Sequence, residues 1–208
     1  MKVLLINGSP HEKGCTYTAL SLIAGELKAQ GIETEILHVG GQPVGGCIGC
    51  GGCRSGNGCV FGGVVNEAIE KAKTADAFVF GSPVHYASAA GNMASFMDRL
   101  AYAGGKYLAY KPAAICCSAR RAGTTSTLDQ LVKYPQFFHM PLVNGSYWAM
   151  VHGSNPEQVL QDAEGCAVMQ ELGRNMAWLL RCIEAGKAAG IGHPQHPPRP
   201  MASFIRWA

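Results

Sequence analysis

The chain has 208 residues, which is long enough to bury a substantial core within one domain. Hydrophobic residues make up 48% and charged residues 15%, a balance that excludes disorder over most of the length. The net charge is +3, and Arg120-Arg121 is the only adjacent basic pair. The sequence therefore lacks the basic stripe that is typical of nucleic-acid binding.

The amino-terminal segment is too short in apolar residues for a signal peptide, and no apolar run approaches the roughly 18 residues of a membrane helix. We therefore expect a cytoplasmic protein with neither a membrane nor a nucleic-acid partner. In a reducing compartment, its nine cysteines indicate metal ligands, reactive thiols or buried apolar residues rather than disulfides.

Strand and helix patterns alternate along the chain. Apolar or alternating runs predict strands, and a spacing of three to four residues predicts helices. In chain order these are a strand at 3–6, a helix at 16–30, a strand at 32–39, a helix at 64–75, a strand at 77–80, a helix at 92–102, a strand at 113–117, a helix at 125–133, a weaker strand at 141–146, and helical sequence over 156–185 that is continuous or broken near Gly173.

This alternation predicts an α/β fold, a doubly wound five-stranded parallel sheet with the order 2-1-3-4-5 and helices on both faces. We expect one domain over residues 1–186, with a Cys- and Gly-rich insertion at 40–63, followed by a Pro-rich tail at 187–208. In such sheets the ligand binds at the carboxyl ends of the strands. The loops after the first, third and fourth strands are therefore expected to form one site.

The first of these loops, Gly8–Thr16, joins a strand to a helix. The backbone N–H groups of a helix start suit an anionic oxygen, and Ser9, Thr16, His11 or Lys13 could add donors or charge. The loop matches neither the Walker A motif nor the Gly-x-Gly-x-x-Gly fingerprint, which argues against ATP or NAD as a resident cofactor. An ordinary turn with hydroxyl caps is the alternative interpretation.

The other two loops carry aromatic and basic residues. His85 and Tyr86 follow the third strand and could lie along a planar ligand, and Arg120 and Arg121 follow the fourth strand. The glycine, hydroxyl groups and arginines of this third loop suit the polar edge of a flavin or the phosphate of a second substrate.

The insertion spaces four thiols two, two and five residues apart, at Cys47, Cys50, Cys53 and Cys59. Four thiolates this close can surround an iron–sulfur cluster, and the glycines allow amides to turn toward sulfur. Structural zinc is an alternative, although it usually uses two separated Cys pairs. The second alternative is a loop whose thiols are free or oxidised and bind no metal. The cysteines at 116, 117, 166 and 182 are expected to fill the core.

Three motifs, in order, resemble a known family: Gly-Ser-Pro-x-x-x-Gly-x-Thr, Gly-Ser-Pro-Val-x-Tyr and Arg-Arg-Ala-Gly-Thr. Over residues 1–150 the chain resembles the flavodoxin-like NADPH-dependent FMN reductase and iron–sulfur flavoprotein group. The resemblance implies bound FMN, and the compact Cys spacing implies a [4Fe–4S] cluster. The implied cofactor-binding residues are Ser9, His11, Gly14, Cys15 and Thr16 at the phosphate, Pro83, Val84, His85 and Tyr86 at the ring, and Ser118, Arg120, Arg121 and Gly123 closing the site.

Two positions depart from the family pattern. His85 stands where Tyr is common, and Cys15 stands where Asn or Ser is usual. The backbone N–H of Cys15 can still bind phosphate. Its thiol, placed near a flavin, raises the question of oxidation.

The leading functional hypothesis is an FMN oxidoreductase that passes electrons from NAD(P)H to a small acceptor such as a quinone, a flavin or oxygen. Tyr86, His85 and Arg120 are the candidates for catalytic orientation and charge at the flavin. The alternative is an iron–sulfur flavoprotein that takes electrons from ferredoxin through a [4Fe–4S] cluster to FMN. A zinc or redox-sensing module is a third hypothesis. We expect a homodimer or homotetramer.

Overall fold

The fold was analysed in a computed structural model that describes residues 1–197. The strands are β1 (Lys2–Asn7), β2 (Glu33–His38), β3 (Ala77–His85), β4 (Ser88–Ala89), β5 (Ala113–Ala119) and β6 (Met150–His152). The helices are α1 (Cys15–Ala29), α2 (Val64–Thr74), α3 (Gly91–Gly104), α4 (Thr124–Phe137), α5 (Pro156–Val159) and α6 (Ala163–Ala188). Much of the expected tail, 198–208, lies outside the described residues.

The sheet has the order β2-β1-β3-β5-β6, and every neighbouring pair in this path is parallel. This confirms the predicted order of five parallel strands. The remaining strand, β4, has two residues and pairs antiparallel with the end of β3. The sequence did not predict this short hairpin.

Helices cover both faces of the sheet, as expected. Along β1, Val3 and Leu5 pack toward α1 and α6, while Leu4 and Ile6 pack toward α2 and α3. All four side chains are fully buried, as the central strand of a parallel sheet requires. Among the described residues, no helix is both long enough and apolar enough to cross a membrane.

The fifth strand was predicted in the wrong place. Residues 141–146 make only an isolated bridge from Leu142 to Ala113, and the regular strand forms later, at Met150–His152. Between these two points residues 144–148 leave the sheet. Asn144, Gly145 and Ser146 favour turns over strands. The buried alternation that defines the edge strand begins at Ala149 and continues at Val151.

The break in the last helical segment was also predicted in the wrong place. The helix is interrupted at 160–162, where the Asp162 carboxylate accepts hydrogen bonds from the N–H groups of Gly165 (2.9 Å) and His152 (2.8 Å). Gly173 lies inside α6 instead. A Cβ atom there would lie 2.8 Å from the carbonyl oxygen of Ile23, so this glycine allows α6 to pack closely against α1.

Replacing Gly173 therefore tests the contact between α1 and α6. We expect Gly173→Ala to lower the free energy of unfolding by about 1–3 kcal/mol, because the added methyl group overpacks against backbone. Urea unfolding followed by circular dichroism measures the change. The matched control is Gly25→Ala in α1, where a Cβ would meet nothing within 4 Å. It should raise stability by about 0.5–1 kcal/mol; equal effects of the two substitutions would contradict the packing explanation.

Candidate functional site

The loop between β1 and α1 is built around a buried asparagine that the sequence analysis did not single out. The Oδ1 atom of Asn7 accepts a hydrogen bond from the Ser9 N–H (3.1 Å), and its Nδ2 donates to the Glu12 carbonyl (2.9 Å). The Ser9 hydroxyl oxygen accepts from the His11 N–H (3.1 Å). The loop conformation is therefore fixed from within before any ligand binds.

The amino terminus of α1 is open to an anion. Gly14 is the N-cap residue, no side chain caps the helix, and its first turn contains no acidic residue. A Cβ on Gly14 would lie 2.9 Å from the Cβ of His11, so the turn is too tight for a larger residue without a shift. The N–H groups of the first turn and the positive end of the helix dipole suit a phosphate group.

Thr16 and Ser118 connect the first loop to the third. Their hydroxyl oxygens lie 2.8 Å apart, and the two residues are only 1% and 3% exposed. The predicted site therefore gains a buried hydrogen bond between the first turn of α1 and the end of β5. The Thr16 hydroxyl is oriented toward Ser118. In the first turn of α1, Thr16 can therefore offer an anion its backbone N–H.

The thiol of Cys15 points toward the loop after β6. Its Sγ atom donates to the carbonyl oxygen of Gly153, at 3.5 Å. Burial is the main cause that raises the pKa of this thiol. Because the thiolate is the form that reacts with oxidants, Cys15 is poorly suited to redox chemistry of its own.

The end of β3 forms a tight hairpin with β4. Val84 pairs with Ala89 and His85 with Ser88, which leaves Tyr86 and Ala87 as the turn, with φ values of +50° and +58°. Two positive φ values match a type I′ turn, which usually contains Asn or Gly. Such strain in non-glycine residues is found most often at functional sites.

This hairpin and the loop after β5 enclose one open cavity of about 280 Å³. Its lining includes four predicted site residues, Val84, Tyr86, Arg120 and Arg121. His85 is not among the lining residues, and its side chain is exposed on the hairpin. Pro83 is half-buried within β3. The structure thus brings Val84 and Tyr86 together with the two arginines, but it does not place Pro83 or His85 in the cavity lining.

Gly123 allows the third loop to approach the hairpin closely. Its φ is +96°, and a Cβ atom there would lie 2.7 Å from the Cα of Ala87 and 2.9 Å from the Val84 side chain. A larger residue would therefore meet both backbone strain and a steric clash. The shape of the cavity depends on this glycine.

The four cysteines of the insertion line a second cavity of about 320 Å³. Cys47 and Cys50 are exposed, and Cys53 and Cys59 are half-buried. Within residues 1–197, no three His, Cys, Asp or Glu side chains are grouped so that they could hold a single metal ion. The four thiols line one cavity but are not grouped at a single point. Cysteine thiolates are the ligands that iron–sulfur clusters use.

Two asparagines outside the insertion hold it in place. The Asn66 Oδ1 atom on α2 accepts from the Cys59 N–H (2.8 Å), and its Nδ2 donates to the Cys59 carbonyl (3.0 Å). On α3, the Nδ2 atom of Asn92 donates to the carbonyls of Gly40 (3.1 Å) and Gln42 (3.0 Å). The Cys-rich segment is therefore docked on two helices.

Arg99 on α3 is the other anchor, and it contacts sulfur directly. Its Nε donates to the Sγ atom of Cys59 at 3.2 Å, and its two Nη atoms donate to the carbonyls of Gly62 (3.0 Å) and Gly45 (3.4 Å). The residue is only 6% exposed. The sequence contained one signal for it, a charged residue next to the apolar stripe of α3 that includes Met93, Phe96 and Leu100.

The other cysteines follow the core expectation only in part. Cys116 and Cys117 are fully buried in β5, and burial raises the pKa of Cys117 to about 12. Cys182, however, is exposed on α6, and Cys166 is half-buried. The expectation was wrong for Cys182 because the apolar stripe of α6 is formed by other residues, among them Met176 and Leu180.

Several solved structures share this fold. RosB, solved with 8-demethyl-8-formylriboflavin-5'-phosphate, aligns with a TM-score of 0.69 and 14% identity, covering 100% of this chain and 96% of its own. The apo form of the NADH:FMN oxidoreductase EmoB aligns with a TM-score of 0.63 and 17% identity, over 86% of this chain and 89% of its own. An archaeal flavodoxin aligns with a TM-score of 0.59 and 14% identity, over 87% of this chain and 99% of its own. The fold is therefore flavodoxin-like.

The family is defined by sequence. Residues 1–155 match the model of the NADPH-dependent FMN reductases, and the chain belongs to this family. An iron-sulfur flavoprotein of Methanocaldococcus jannaschii is 27% identical over 192 residues, which cover 88% of this chain and 100% of that protein. An iron-sulfur flavoprotein of Archaeoglobus fulgidus is 36% identical over 99 residues, 48% of each chain. The resemblance stated from the motifs is thus confirmed.

The role of Gly123 can be tested by FMN binding. We expect Gly123→Ala to weaken FMN affinity about tenfold, or about 1.4 kcal/mol, because the methyl group pushes the third loop away from the hairpin. Quenching of flavin fluorescence measures the affinity. Gly31→Ala is the matched control, since Gly31 also has a positive φ (+75°) but has nothing within 4 Å. Both variants should lose stability, and a similar loss of FMN affinity in both would contradict the prediction.

Proposed function

We propose that the protein is an FMN-dependent oxidoreductase that takes electrons from a reduced nicotinamide and passes them to a small acceptor such as a quinone, a flavin or oxygen. One observation carries this proposal: the uncapped start of α1 and the cavity beside Tyr86 both lie at the carboxyl edge of the sheet. This edge is where α/β sheets bind ligands, at the point where the strand order reverses between β1 and β3.

The residues present fit FMN. The first turn of α1 offers N–H groups and positive potential to a phosphate, and the cavity of about 280 Å³ between hairpin and third loop offers space for the ring. When bound, FMN supplies hydride and single-electron chemistry. The protein then binds, orients and shields it.

The side chains of the cavity have separate tasks in this proposal. Tyr86, held at the tip of the hairpin by its strained turn, presents an aromatic side chain to the ring. Arg120 and Arg121 place two positive charges at the cavity, where they attract the phosphates of a nicotinamide cosubstrate. His85 lies outside the cavity lining, so we give it no direct role.

The Cys cavity supports a second candidate function, electron transfer through a [4Fe–4S] cluster, with ferredoxin as the donor. Helix α3 connects the two sites. It begins beside the β3–β4 hairpin and carries Asn92 in its first turn and Arg99 seven residues later, a rise of about 10 Å along the helix axis. Exposed apolar residues rim the Cys cavity, among them Ile48, Phe61 and Tyr102. An apolar rim of this kind suits contact with a protein such as ferredoxin. The same rim could instead contact a second copy of the chain in the homodimer or homotetramer that we expect.

Substitution of Arg120 and Arg121 tests whether they bind a nicotinamide cosubstrate. We expect the double substitution Arg120→Ala/Arg121→Ala to raise the KM for NADPH about tenfold with a smaller change in kcat, because charge-assisted hydrogen bonds to phosphate are lost. Steady-state kinetics with a quinone acceptor measure both constants. Arg181→Ala, which removes an exposed arginine on α6, is the control. An unchanged KM in the double variant would remove the assigned role of the pair.

The Cys cavity is tested by metal content. We expect anaerobically purified protein to contain FMN together with about four irons and acid-labile sulfide per chain. Cys50→Ala should lose most of the iron and keep the FMN, whereas Cys182→Ala, an exposed cysteine on α6, should keep both. Flavin without iron in the unmodified protein would eliminate the second candidate and leave the first. Absence of flavin after FMN addition would eliminate both.

A further inference from the structure

Arg99 is a buried charge with an unusual set of partners. None of the ion pairs among residues 1–197 includes it, although a buried guanidinium normally faces a carboxylate. It donates instead to two backbone carbonyls and to the Cys59 sulfur, and it lies 5.5 Å from the centre of the Phe61 ring. Among these partners, only the sulfur can carry a full negative charge.

The contact also distinguishes Cys59 from the other three cysteines of the cavity. Among the described residues, no hydrogen bond reaches the side chains of Cys47, Cys50 or Cys53. The Cys59 backbone is in addition held on both sides by Asn66. Cys59 is therefore the fixed corner of the cavity, attached to α2 through its backbone and to α3 through its sulfur.

We propose that Arg99 is a positioning residue that holds the Cys59 sulfur as a ligand of the cluster and raises the reduction potential of that cluster. The inference rests on the second candidate function, a cluster in the Cys cavity. It assigns a role to a residue of α3 that lies outside the Cys-rich segment.

The physical reason is electrostatic. One electron, delivered by reduced FMN or by ferredoxin, adds one negative charge to a thiolate-ligated cluster, and no covalent bond is broken. A fixed positive charge near a ligand sulfur stabilises the more negative, reduced state. Because Arg99 is almost fully buried, water screens this interaction only weakly. Hydrogen bonds to cluster sulfurs are one of the ways in which proteins set cluster potentials.

The test measures the midpoint potential of the cluster in the anaerobically purified, full-length protein. Arg99→Gln removes the charge, and Arg99→Lys keeps it but loses the fork that reaches Gly45 and Gly62. We expect the Gln variant to shift the reduction equilibrium about tenfold toward the oxidised cluster, which is 59 mV for a one-electron couple. In the Lys variant, the reduction equilibrium of the cluster should stay within about threefold of that in the unmodified protein.

Two controls separate the charge from simple loosening of the loop. Asn66→Ala releases the Cys59 backbone, and Asn92→Ala releases the other end of the insertion at Gly40 and Gln42. Neither removes a charge. We expect both to lower iron content while the clusters that remain keep the unmodified potential.

The outcomes distinguish the possible failures. An unshifted potential in Arg99→Gln at full iron content, or an equal shift in Asn66→Ala, would overturn the role of Arg99 and leave the proposed function intact. If the Gln variant holds no iron, the Lys variant tests the proposal instead. A tenfold shift of the reduction equilibrium in the Lys variant, which keeps the positive charge, would contradict the electrostatic role of Arg99. Flavin without iron in the unmodified protein would overturn the inference but not the FMN oxidoreductase, whereas failure to bind FMN would remove the proposed function itself.

Discussion

The burial of the parallel sheet on both faces is the constraint on which the rest of the structure depends. Because α1 and α6 cover one face and α2, α3 and α4 cover the other, the strand ends are the places where polar groups can meet a ligand. The reversal of strand order between β1 and β3 opens a space at the carboxyl edge. Both the loop between β1 and α1 and the hairpin that carries Tyr86 lie at this edge.

Helix α3 gives the molecule a second level of organisation. One face of it belongs to the core, through Met93, Phe96 and Leu100, and two of its polar residues hold the Cys-rich insertion. The insertion has no core of its own, and its glycines and exposed thiols would not fix a conformation unaided. Asn92 and Arg99 therefore tie a Gly-rich segment with little regular structure to a rigid helix of the domain.

Periodicity and motifs predicted the parts of the fold that are governed by burial. The central strands are continuous apolar runs, so their order and their helical cover followed directly, as did the site loops at their ends. The errors occurred where a tertiary contact overrides local preference. Gly173 has the local signature of a helix break but is a packing contact with Ile23, and the edge strand resumes only at Met150. Arg99 lies beside the apolar stripe of α3, but its partners are 37 to 54 residues away in the chain, so the local pattern does not reveal what it holds.

The departure of residues 144–148 from the sheet has a consequence for how the molecule meets other copies of itself. It leaves only the three residues of β6 as regular strand at that border, too short a template for another chain to pair with. The opposite border, β2, carries Glu33 and Glu35, which form ion pairs with Lys2 and Lys71. Within residues 1–197, one border of the sheet is thus too short and the other too highly charged to pair readily with another copy. Both features oppose the joining of copies, edge to edge, into a continuous and insoluble sheet.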